Sequence, residues 1–229
     1  MQIVILTGAG ISAESGLDTF RDAGGLWARY DLADLATPEG FARDPSLVLD
    51  FYNHRRRAAR KATPNPAHAA LARLQKQKGE RVTLVTQNID DLHERAGSDP
   101  VIHMHGSLFG ALCGACQTRW PAAPVMRPAD TCPACGAESP RPDVVWFGEM
   151  PCHMDRIMSA LAQCDLFVAV GTSGAVFPAA GFVDLARDSG AKTLELNLEP
   201  GDRTGAFDTG REGPASVLVP AWVDEVLSV

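Results

Sequence analysis

The chain opens with a short apolar strand that runs directly into a glycine-rich turn. Residues 3–6 are Ile-Val-Ile-Leu, and residues 7–16 are Thr-Gly-Ala-Gly-Ile-Ser-Ala-Glu-Ser-Gly. A buried strand followed by Gly-x-Gly-x-x-Ala is typical of the phosphate-binding turn of a dinucleotide-binding domain. Glycine permits a tight turn there and lets the backbone approach a pyrophosphate. The motif alone has low specificity, since an ordinary tight turn has the same composition.

The region after this turn departs from the pattern of nucleotide-dependent dehydrogenases. Those domains carry an acidic residue about 20 positions beyond the glycines, at the end of a second strand, where it holds a ribose. Here residues 16–22 predict a loop and residues 26–30 a helix, with no second strand in the expected place. The opening therefore favours a nucleotide-binding turn that is not part of an ordinary dehydrogenase.

Length and charge narrow the class of protein. The 229 residues fit one domain, or one domain with an inserted module. A formal net charge of −7 argues against nonspecific nucleic-acid binding. No apolar run approaches the ~20 residues of a membrane helix, and the N-terminus lacks the basic segment of a signal peptide. We expect a cytoplasmic monomer whose cysteines are metal ligands or thiols rather than disulfides.

Four of the six cysteines form two Cys-x-x-Cys pairs separated by 15 residues. The first pair is Cys113 and Cys116, and the second is Cys132 and Cys135. Two such pairs complete a tetrahedral shell of four sulfurs, which suits zinc and leaves no open position for water. The spacing predicts one structural zinc ion, with redox pairs or disulfides as the alternative.

Predicted strands and helices alternate along most of the chain. The pattern predicts strands at 2–6, 82–86, 100–104, 143–147, 165–170 and 192–197, with a further strand at 216–219. It predicts helices at 45–60, 66–78, 178–188 and 220–228, each opened by a proline at or next to its first position. This alternation indicates an α/β fold with a parallel sheet covered on both faces.

Two segments interrupt the alternation. One is helical, at about 28–65, and the other is the cysteine ribbon, at about 110–142. We therefore expect a Rossmann-like part formed by about 1–27, 66–109 and 143–229, together with a small domain built from both insertions. A ligand cleft is expected between the two parts.

Polar residues follow two of the predicted strands, at the edge where open α/β sheets bind ligands. Asn88 and Asp90 follow the strand at 82–86, although capping of a helix is the alternative role for both. His105 follows the strand at 100–104, a position that suits a general base near neutral pH. His103, two residues earlier, is expected to be structural.

Taken together, these segments resemble the sirtuin family. The segments that occur in sirtuin order are Gly-Ala-Gly-Ile-Ser at 8–12, Thr-Phe-Arg at 19–21, Thr-Gln-Asn-Ile-Asp at 86–90, His-Gly at 105–106, the four-cysteine ribbon, Gly-Thr-Ser at 171–173 and Asn-Leu-Glu at 197–199. The resemblance covers nearly the whole chain. It implies an NAD-dependent protein-lysine deacylase whose substrates are acylated-lysine peptides bound as an extended strand. An NAD hydrolase or ADP-ribosyltransferase at the same site is the alternative activity, and a zinc-ribbon binding module without catalysis is a third possibility.

The resemblance also assigns roles to individual residues. For NAD it implies Gly8, Ala9, Gly10, Ser12, Phe20, Arg21, Trp27, Gln87, Asn88, Ile89, Asp90, Gly171, Thr172, Ser173, Asn197, Leu198, Glu199 and Ala215. For the peptide it implies pairing with an exposed strand edge formed by Val145, Phe147, Gly148 and Glu149.

His105 and Asn88 are the catalytic residues that the resemblance implies. In the implied reaction the acyl-lysine oxygen attacks the ribose carbon that bears nicotinamide, and nicotinamide leaves. His105 then removes a proton from a ribose hydroxyl, which attacks the imidate carbon. The products are nicotinamide, O-acyl-ADP-ribose and free lysine.

Three residues of the helical insertion bear on the acyl group. Tyr52 and Arg55 share one face of the predicted helix at 45–60. Taken alone, Arg55 is one of a solvated arginine run; within the sirtuin resemblance, Tyr-x-x-Arg is the signature of a subgroup that accepts acidic acyl groups. Ala36 matches the small residue that leaves room for a longer chain. The resemblance thus implies succinyl- or malonyl-lysine as substrates besides acetyl-lysine.

Overall fold

The structure is a computed structural model that describes residues 1–19 and 32–228. Its strands are β1 Ile3–Thr7, β2 Val82–Thr86, β3 Val101–His103, β4 Gly106–Cys113, β5 Arg119–Pro121, β6 Pro140–Val144, β7 Leu166–Val170, β8 Lys192–Asn197 and β9 Thr209–Glu212. Its helices are α1 Gly10–Ala13, α2 Leu32–Leu35, α3 Pro38–Arg43, α4 Pro45–Lys61, α5 Pro66–Lys78, α6 Leu92–Arg95, α7 Met154–Leu161, α8 Phe182–Asp188 and α9 Ala215–Leu227. The predicted helix at 26–30 lies outside the described residues.

Six parallel strands form the main sheet, in the order β3-β2-β1-β7-β8-β9. This is the strand order of a Rossmann fold, and it confirms the predicted fold class. From β1 the sheet extends to β2 and β3 on one side, and the later strands β7 to β9 are added on the other side of β1. In the pairing register Thr7 stands beside both Thr86 and Val170, so the strands β2, β1 and β7 end at one edge. That edge is where such sheets bind ligands.

Helices cover both faces of the sheet around its central strands, which is why β1 and β7 are buried along almost their whole length. In β1, Ile5 faces the core shared with α5 and α9, whereas Leu6 faces the core shared with α7 and α8. Leu71 of α5 and Trp222 of α9 are buried on the first side, and Phe182 of α8 on the second. The strands therefore cannot shift by one residue without exchanging their two buried faces.

A second, antiparallel sheet has β4 at its centre, between β5 and β6. Helices α2 to α4 pack beside it, and Leu35, Val48 and Val144 lie in the core that they share. Arg56 of α4 is fully buried, and its Nε donates to the carbonyl oxygen of Leu108 at 2.7 Å. Burial lowers the pKa of Arg56 to about 10. This guanidinium therefore joins the helical insertion to β4.

Local capping signals set the starts of two helices as the sequence predicts. The Asp44 carboxylate accepts from the backbone N–H of Leu47 at 2.9 Å, with Pro45 at the first helical position. The Asn65 side chain accepts from the N–H of Ala67 at 2.9 Å in the same way. Both pairings satisfy N–H groups that a helix leaves without partners.

Two of the predicted strands are wrong. Residues 216–219 belong to α9, which begins at Ala215 and contains Pro220 instead of starting there. The strand predicted at 143–147 is β6, which lies at Pro140–Val144 and ends before Val145. In α9 a buried stripe packs against α5, and this packing overrides the β-branched composition of residues 216–219.

Three strands were not predicted. β4 and β5 lie in or beside the segment that the sequence indicates only as a cysteine ribbon, and β9 is the exposed edge of the main sheet. The four residues of β9 are Thr-Gly-Arg-Glu and all are exposed, so they carry no hydrophobic pattern. Within the described ranges, every helix is too short or too polar to cross a bilayer.

The four predicted zinc ligands come together at the end of β4. Their sulfur atoms all lie within 4.8 Å of one another. The sulfurs of Cys113 and Cys135 are 3.7 Å apart, and those of Cys116 and Cys132 are also 3.7 Å apart. Sulfurs bound to one tetrahedral zinc at ~2.3 Å stand about 3.8 Å apart. The cluster thus fits a structural zinc ion held by these four thiolates.

Replacing Cys113 with serine should remove the metal and lower the melting temperature together, because zinc binding in such sites is coupled to folding. Metal content by mass spectrometry and thermal unfolding by circular dichroism test this. Cys152→Ser is the matched control, since Cys152 lies outside the cluster. Loss of the metal at unchanged melting temperature would contradict a structural role.

Candidate functional site

Two glycine turns interlock at the carboxyl ends of β1 and β7. The N–H of Gly8 donates to the carbonyl oxygen of Val170 at 3.0 Å, and the N–H of Gly10 donates to that of Gly171 at 2.8 Å. A Cβ on Gly8 would lie 2.7 Å from the Gly171 oxygen, and a Cβ on Gly171, whose φ is +60°, would lie 2.4 Å from the Ile11 nitrogen. Only glycine fits this contact, which presents bare backbone where such sheets bind phosphates.

Side chains of the loop after β2 join this pair of turns. Gln87 Nε2 donates to Thr172 Oγ1 at 2.9 Å, across β1. Asn88 Nδ2 donates to the carbonyl oxygen of Gly8 at 3.1 Å and to Ser12 Oγ at 3.2 Å. Ile89, the next residue, turns away and packs against the core beside α4. The predicted residues of three separate strands are therefore held as one assembly.

Asp90 is a buried carboxylate in this assembly. It accepts from Ser12 Oγ at 3.2 Å and from the backbone N–H of Leu92 at 3.1 Å, and it is 8% exposed. Burial raises its pKa, and the two hydrogen bonds oppose that shift. Because Ser12 receives the Asn88 amide and donates to Asp90, its hydroxyl fixes the distance between these two side chains.

Two buried histidines lie beneath the assembly, and the sequence did not point to either. The N–H of Asn65 donates to Nδ1 of His68 at 3.3 Å, so the proton of His68 is on Nε2, 3.4 Å from Ser12 Oγ. The ring of His93 lies 4.9 Å from that of His68. Burial lowers the pKa of His68 to about 4 and lowers that of His93 well below its usual range. Both rings are therefore neutral at pH 7.

Among the described residues, His105 is held through one of its two ring nitrogens. Its Nδ1 lies 3.0 Å from the carbonyl oxygen of Gln87, which can only accept, so Nδ1 carries the proton and Nε2 carries a lone pair. Burial lowers the pKa of His105 below its ordinary value of 6.5, although the hydrogen bond to Gln87 opposes this. The half-buried ring is a neutral base at pH 7.

The ends of β7 and β8 complete the edge. Asn197 Nδ2 donates to the carbonyl oxygen of Thr172 at 2.8 Å, which ties β8 to the second glycine turn. Leu198 and Glu199 follow and are exposed. Ala215 begins α9. The other predicted nucleotide contacts at this edge are Ala9, the N-cap of α1, and Ser173, whose carbonyl accepts from the N–H of Asp202 at 2.8 Å.

The helical insertion places Tyr52 beside the loop that follows β6. Trp146 Nε1 donates to the Tyr52 hydroxyl oxygen at 2.9 Å, so the hydroxyl proton of Tyr52 remains available to an acceptor. Tyr52 is buried, and burial raises its pKa to about 12, which keeps it a donor. Ala36 is also buried, and its carbonyl oxygen accepts from the N–H of Phe147 at 2.9 Å. Ala36, Tyr52 and Trp146 share one apolar core.

Arg55 lies one helical turn beyond Tyr52 and is half-buried. Its guanidinium carbon is 5.9 Å from the centre of the Phe51 ring. Burial lowers the pKa of Arg55, and Tyr52, Asp90 and Asp18 oppose that shift. The negative charge of Asp90, in the loop after β2, thus acts on the guanidinium of Arg55.

Residues 145–149, to which the resemblance assigns pairing with the peptide, follow β6 and contain a turn at 147–148. The N–H of Val145 donates to the carbonyl oxygen of His105 at 2.9 Å. The Glu149 carboxylate accepts from Arg141 at 2.7 and 2.9 Å and from the N–H of Trp146 at 2.9 Å, so it closes the turn. Between them, Phe147 is 47% exposed and Gly148 has a φ of +89°. Phe20, Arg21 and Trp27, the remaining predicted NAD contacts, lie outside the described residues.

Comparison with known proteins places this arrangement in a family. Residues 8–178 match a sequence profile described as the Sir2 family. An NAD-dependent protein deacylase of Caulobacter vibrioides is 53% identical over 232 residues, which cover 100% of this chain and 98% of that relative. A protein of the same description from Vibrio cholerae is 52% identical over 229 residues, covering 99% and 93%.

Solved structures agree with the sequence relatives. A mutant Sir2 homologue in complex with ADP-ribose has a TM-score of 0.92 at 40% identity and covers 100% of this chain and 94% of that one. A Sir2 homologue–NAD complex has a TM-score of 0.91 at 40% identity, covering 99% and 90%. A Sir2–p53 peptide–NAD+ complex has a TM-score of 0.82 at 26% identity, covering 100% and 94%. Fold, site geometry and full-length similarity agree: the chain belongs to the Sir2 family.

Proposed function

We propose that this chain is an NAD-dependent protein-lysine deacylase that removes acetyl and acidic acyl groups from lysine. The observation that carries the proposal is the neutral, singly tethered His105 beside Asn88, Asp90 and the interlocked glycine turns. Relatives with 52–53% identity are named NAD-dependent protein deacylases. Solved relatives are described with NAD and with a peptide, which favours deacylation over hydrolysis of NAD.

NAD, when bound, supplies an electrophilic ribose carbon from which nicotinamide departs. The bare backbone of Gly8, Gly10 and Gly171 suits its pyrophosphate because no side chain stands in the way. The Asn88 and Asp90 side chains are held by Ser12, so they are preorganised to orient the carboxamide end. His105 Nε2 accepts a proton from a ribose hydroxyl, and Gln87 keeps the ring in the tautomer that this step requires.

The acyl group is expected to enter between the helical insertion and the Trp146 turn. The Tyr52 hydroxyl keeps its proton and accepts from Trp146, so its proton can be donated to an acyl group. Arg55 adds a positive charge on the same face of α4. A hydroxyl donor and a guanidinium suit the terminal carboxylate of a succinyl or malonyl group, and the small Ala36 leaves room for the chain.

Incubation of the protein with NAD and an acetylated or succinylated peptide tests the reaction itself. Mass spectrometry should detect nicotinamide, free-lysine peptide and O-acyl-ADP-ribose. Free ADP-ribose without loss of the acyl group would instead indicate a hydrolase, and a peptide heavier by ADP-ribose would indicate a transferase.

The substitution His105→Ala should lower kcat by roughly 10²–10⁴-fold at unchanged melting temperature, since it removes the general base. His103→Ala should have a milder effect on kcat, and His54→Ala, which changes an exposed histidine of α4, is the control. Equal losses for His105→Ala and His103→Ala at equal stability would remove the special role of His105.

The pH dependence of kcat should reflect the protonation of His105. The His105 pKa lies below 6.5, so the ring is neutral at pH 7 and becomes protonated as the pH falls through that pKa. At saturating NAD and peptide, kcat should therefore decline on the acid side with one proton taken up. A pH profile of kcat with no acid decline at any pH at which the chain stays folded would contradict His105 as the base.

Replacing Arg55 with methionine should lower kcat/KM for a succinylated peptide about ten- to a hundredfold more than for an acetylated one, because one charge-assisted hydrogen bond is worth roughly 1.5–3 kcal/mol. Tyr52→Phe should give a smaller loss in the same direction. Arg57→Met is the matched control, because Arg57 is exposed on the same helix. Parallel losses for both peptides would refute acidic-acyl selectivity and leave the deacylase activity intact.

A further inference from the structure

Each of the two histidines after Ile102 holds one carbonyl of the loop that follows β2. His103 Nδ1 lies 3.0 Å from the carbonyl oxygen of Asn88, and His105 Nδ1 lies 3.0 Å from that of Gln87. Carbonyl oxygens only accept, so both Nδ1 atoms carry protons. The histidines thus fix two consecutive peptide groups of the loop that carries Asn88 and Asp90.

The two rings differ at the opposite nitrogen. His103 Nε2 lies 2.7 Å from Glu94 Oε1 on α6, and a carboxylate oxygen also accepts. His103 therefore makes both of its hydrogen bonds only as an imidazolium, whereas His105 makes its one as a neutral ring. Loss of a proton from His103 would leave a lone pair facing either Glu94 or the Asn88 carbonyl, and one bond would break.

The surroundings of His103 favour its charged form. Burial opposes the charge, but the hydrogen bond and negative charge of Glu94, the Asn88 carbonyl and the charge of Asp90 together raise the pKa of His103 above 6.5. On α6, His93 is neutral because its own pKa lies well below that value, and Arg95 is paired with Asp91 at 3.5 Å. Near pH 7, His103 is therefore the more cationic of the two adjacent histidines.

We propose that His103 is a positioning residue that, as an imidazolium, ties the Asn88–Asp90 loop to Glu94 and thereby sets the affinity of the site for the nicotinamide end of NAD. This inference rests on the proposed function. The direction of the pH dependence follows from the chemistry. Both hydrogen bonds of His103 are intact at low pH, and one of them is lost as the pH rises through the pKa of His103. The affinity for NAD should then fall on the alkaline side, whereas kcat falls on the acid side through His105.

Binding measurements can separate the two ends of NAD. Dissociation constants for NAD and for ADP-ribose, which lacks nicotinamide, are measured by calorimetry from about pH 6 to about pH 9. The wild-type chain is compared with His103→Gln and Glu94→Gln, and His54→Gln is the control at an exposed histidine. Glu94 is exposed, so its substitution tests the tie even where His103→Gln fails to fold.

The substitutions should change the dissociation constant for NAD and leave that for ADP-ribose unchanged. His103→Gln should weaken NAD about tenfold on the acid side, where the tie is intact, and leave ADP-ribose unaffected. Glu94→Gln should move the alkaline rise of the NAD dissociation constant to lower pH, because the anion that stabilises the imidazolium is gone. KM for NAD should follow the same pattern, while kcat at saturating NAD changes little.

Other results would overturn the inference. NAD affinity that has the same pH dependence in the wild type and in Glu94→Gln would show that the ion pair does not control the site. Equal losses for NAD and ADP-ribose would show a general disturbance of the fold instead of an effect at the nicotinamide end. A wild-type chain that binds neither compound would overturn the proposed function itself, and the positioning role with it.

Discussion

The contact on which the site depends is the one between two backbone turns, at Gly8–Gly10 and Gly171. It leaves no room for a Cβ on either side, because the turns already meet at hydrogen-bond distance. Gln87 and Asn88 tie the loop after β2 to these turns, and Asn197 ties the end of β8. Four strands therefore end in one rigid edge, and the relative positions of the predicted NAD contacts follow from it.

Burial shifts the pKa values of His68, His93 and Asp90 more than pairing of charges does. His68 and His93 are neutral because they are out of contact with water, and Asp90 has a raised pKa for the same reason. His103 and His105 stand two residues apart at the same edge, yet their pKa values move in opposite directions. The difference is Glu94, which faces one ring and not the other. A single carboxylate thus distinguishes the ring proposed as a neutral base from the ring proposed as a cationic tether.

Short connections join both insertions to the edge of the main sheet where β1, β2 and β7 end. β4 begins at Gly106, immediately after His105, and ends at Cys113, the first predicted zinc ligand. The cysteine ribbon is therefore connected to His105 by a single strand, β4. On the other side, the Ala36 carbonyl accepts from Phe147, and Tyr52 accepts from Trp146, so two hydrogen bonds join the helical insertion and the turn after β6 into one unit. Acyl selectivity, as proposed, is a property of that unit.

The sequence alone determined the α/β class, the four-cysteine cluster and the starts of α4 and α5, because strand alternation, Cys-x-x-Cys spacing and capping are local patterns. Only tertiary structure decided that residues 216–219 are helical, since packing of α9 on α5 overrides their local propensity, and that exposed β9 is a strand at all. Tertiary structure also decided that His68 and His93 are neutral and that Glu94 pairs with His103. Burial and a partner nine residues away set their chemistry, and neither leaves a pattern along the chain.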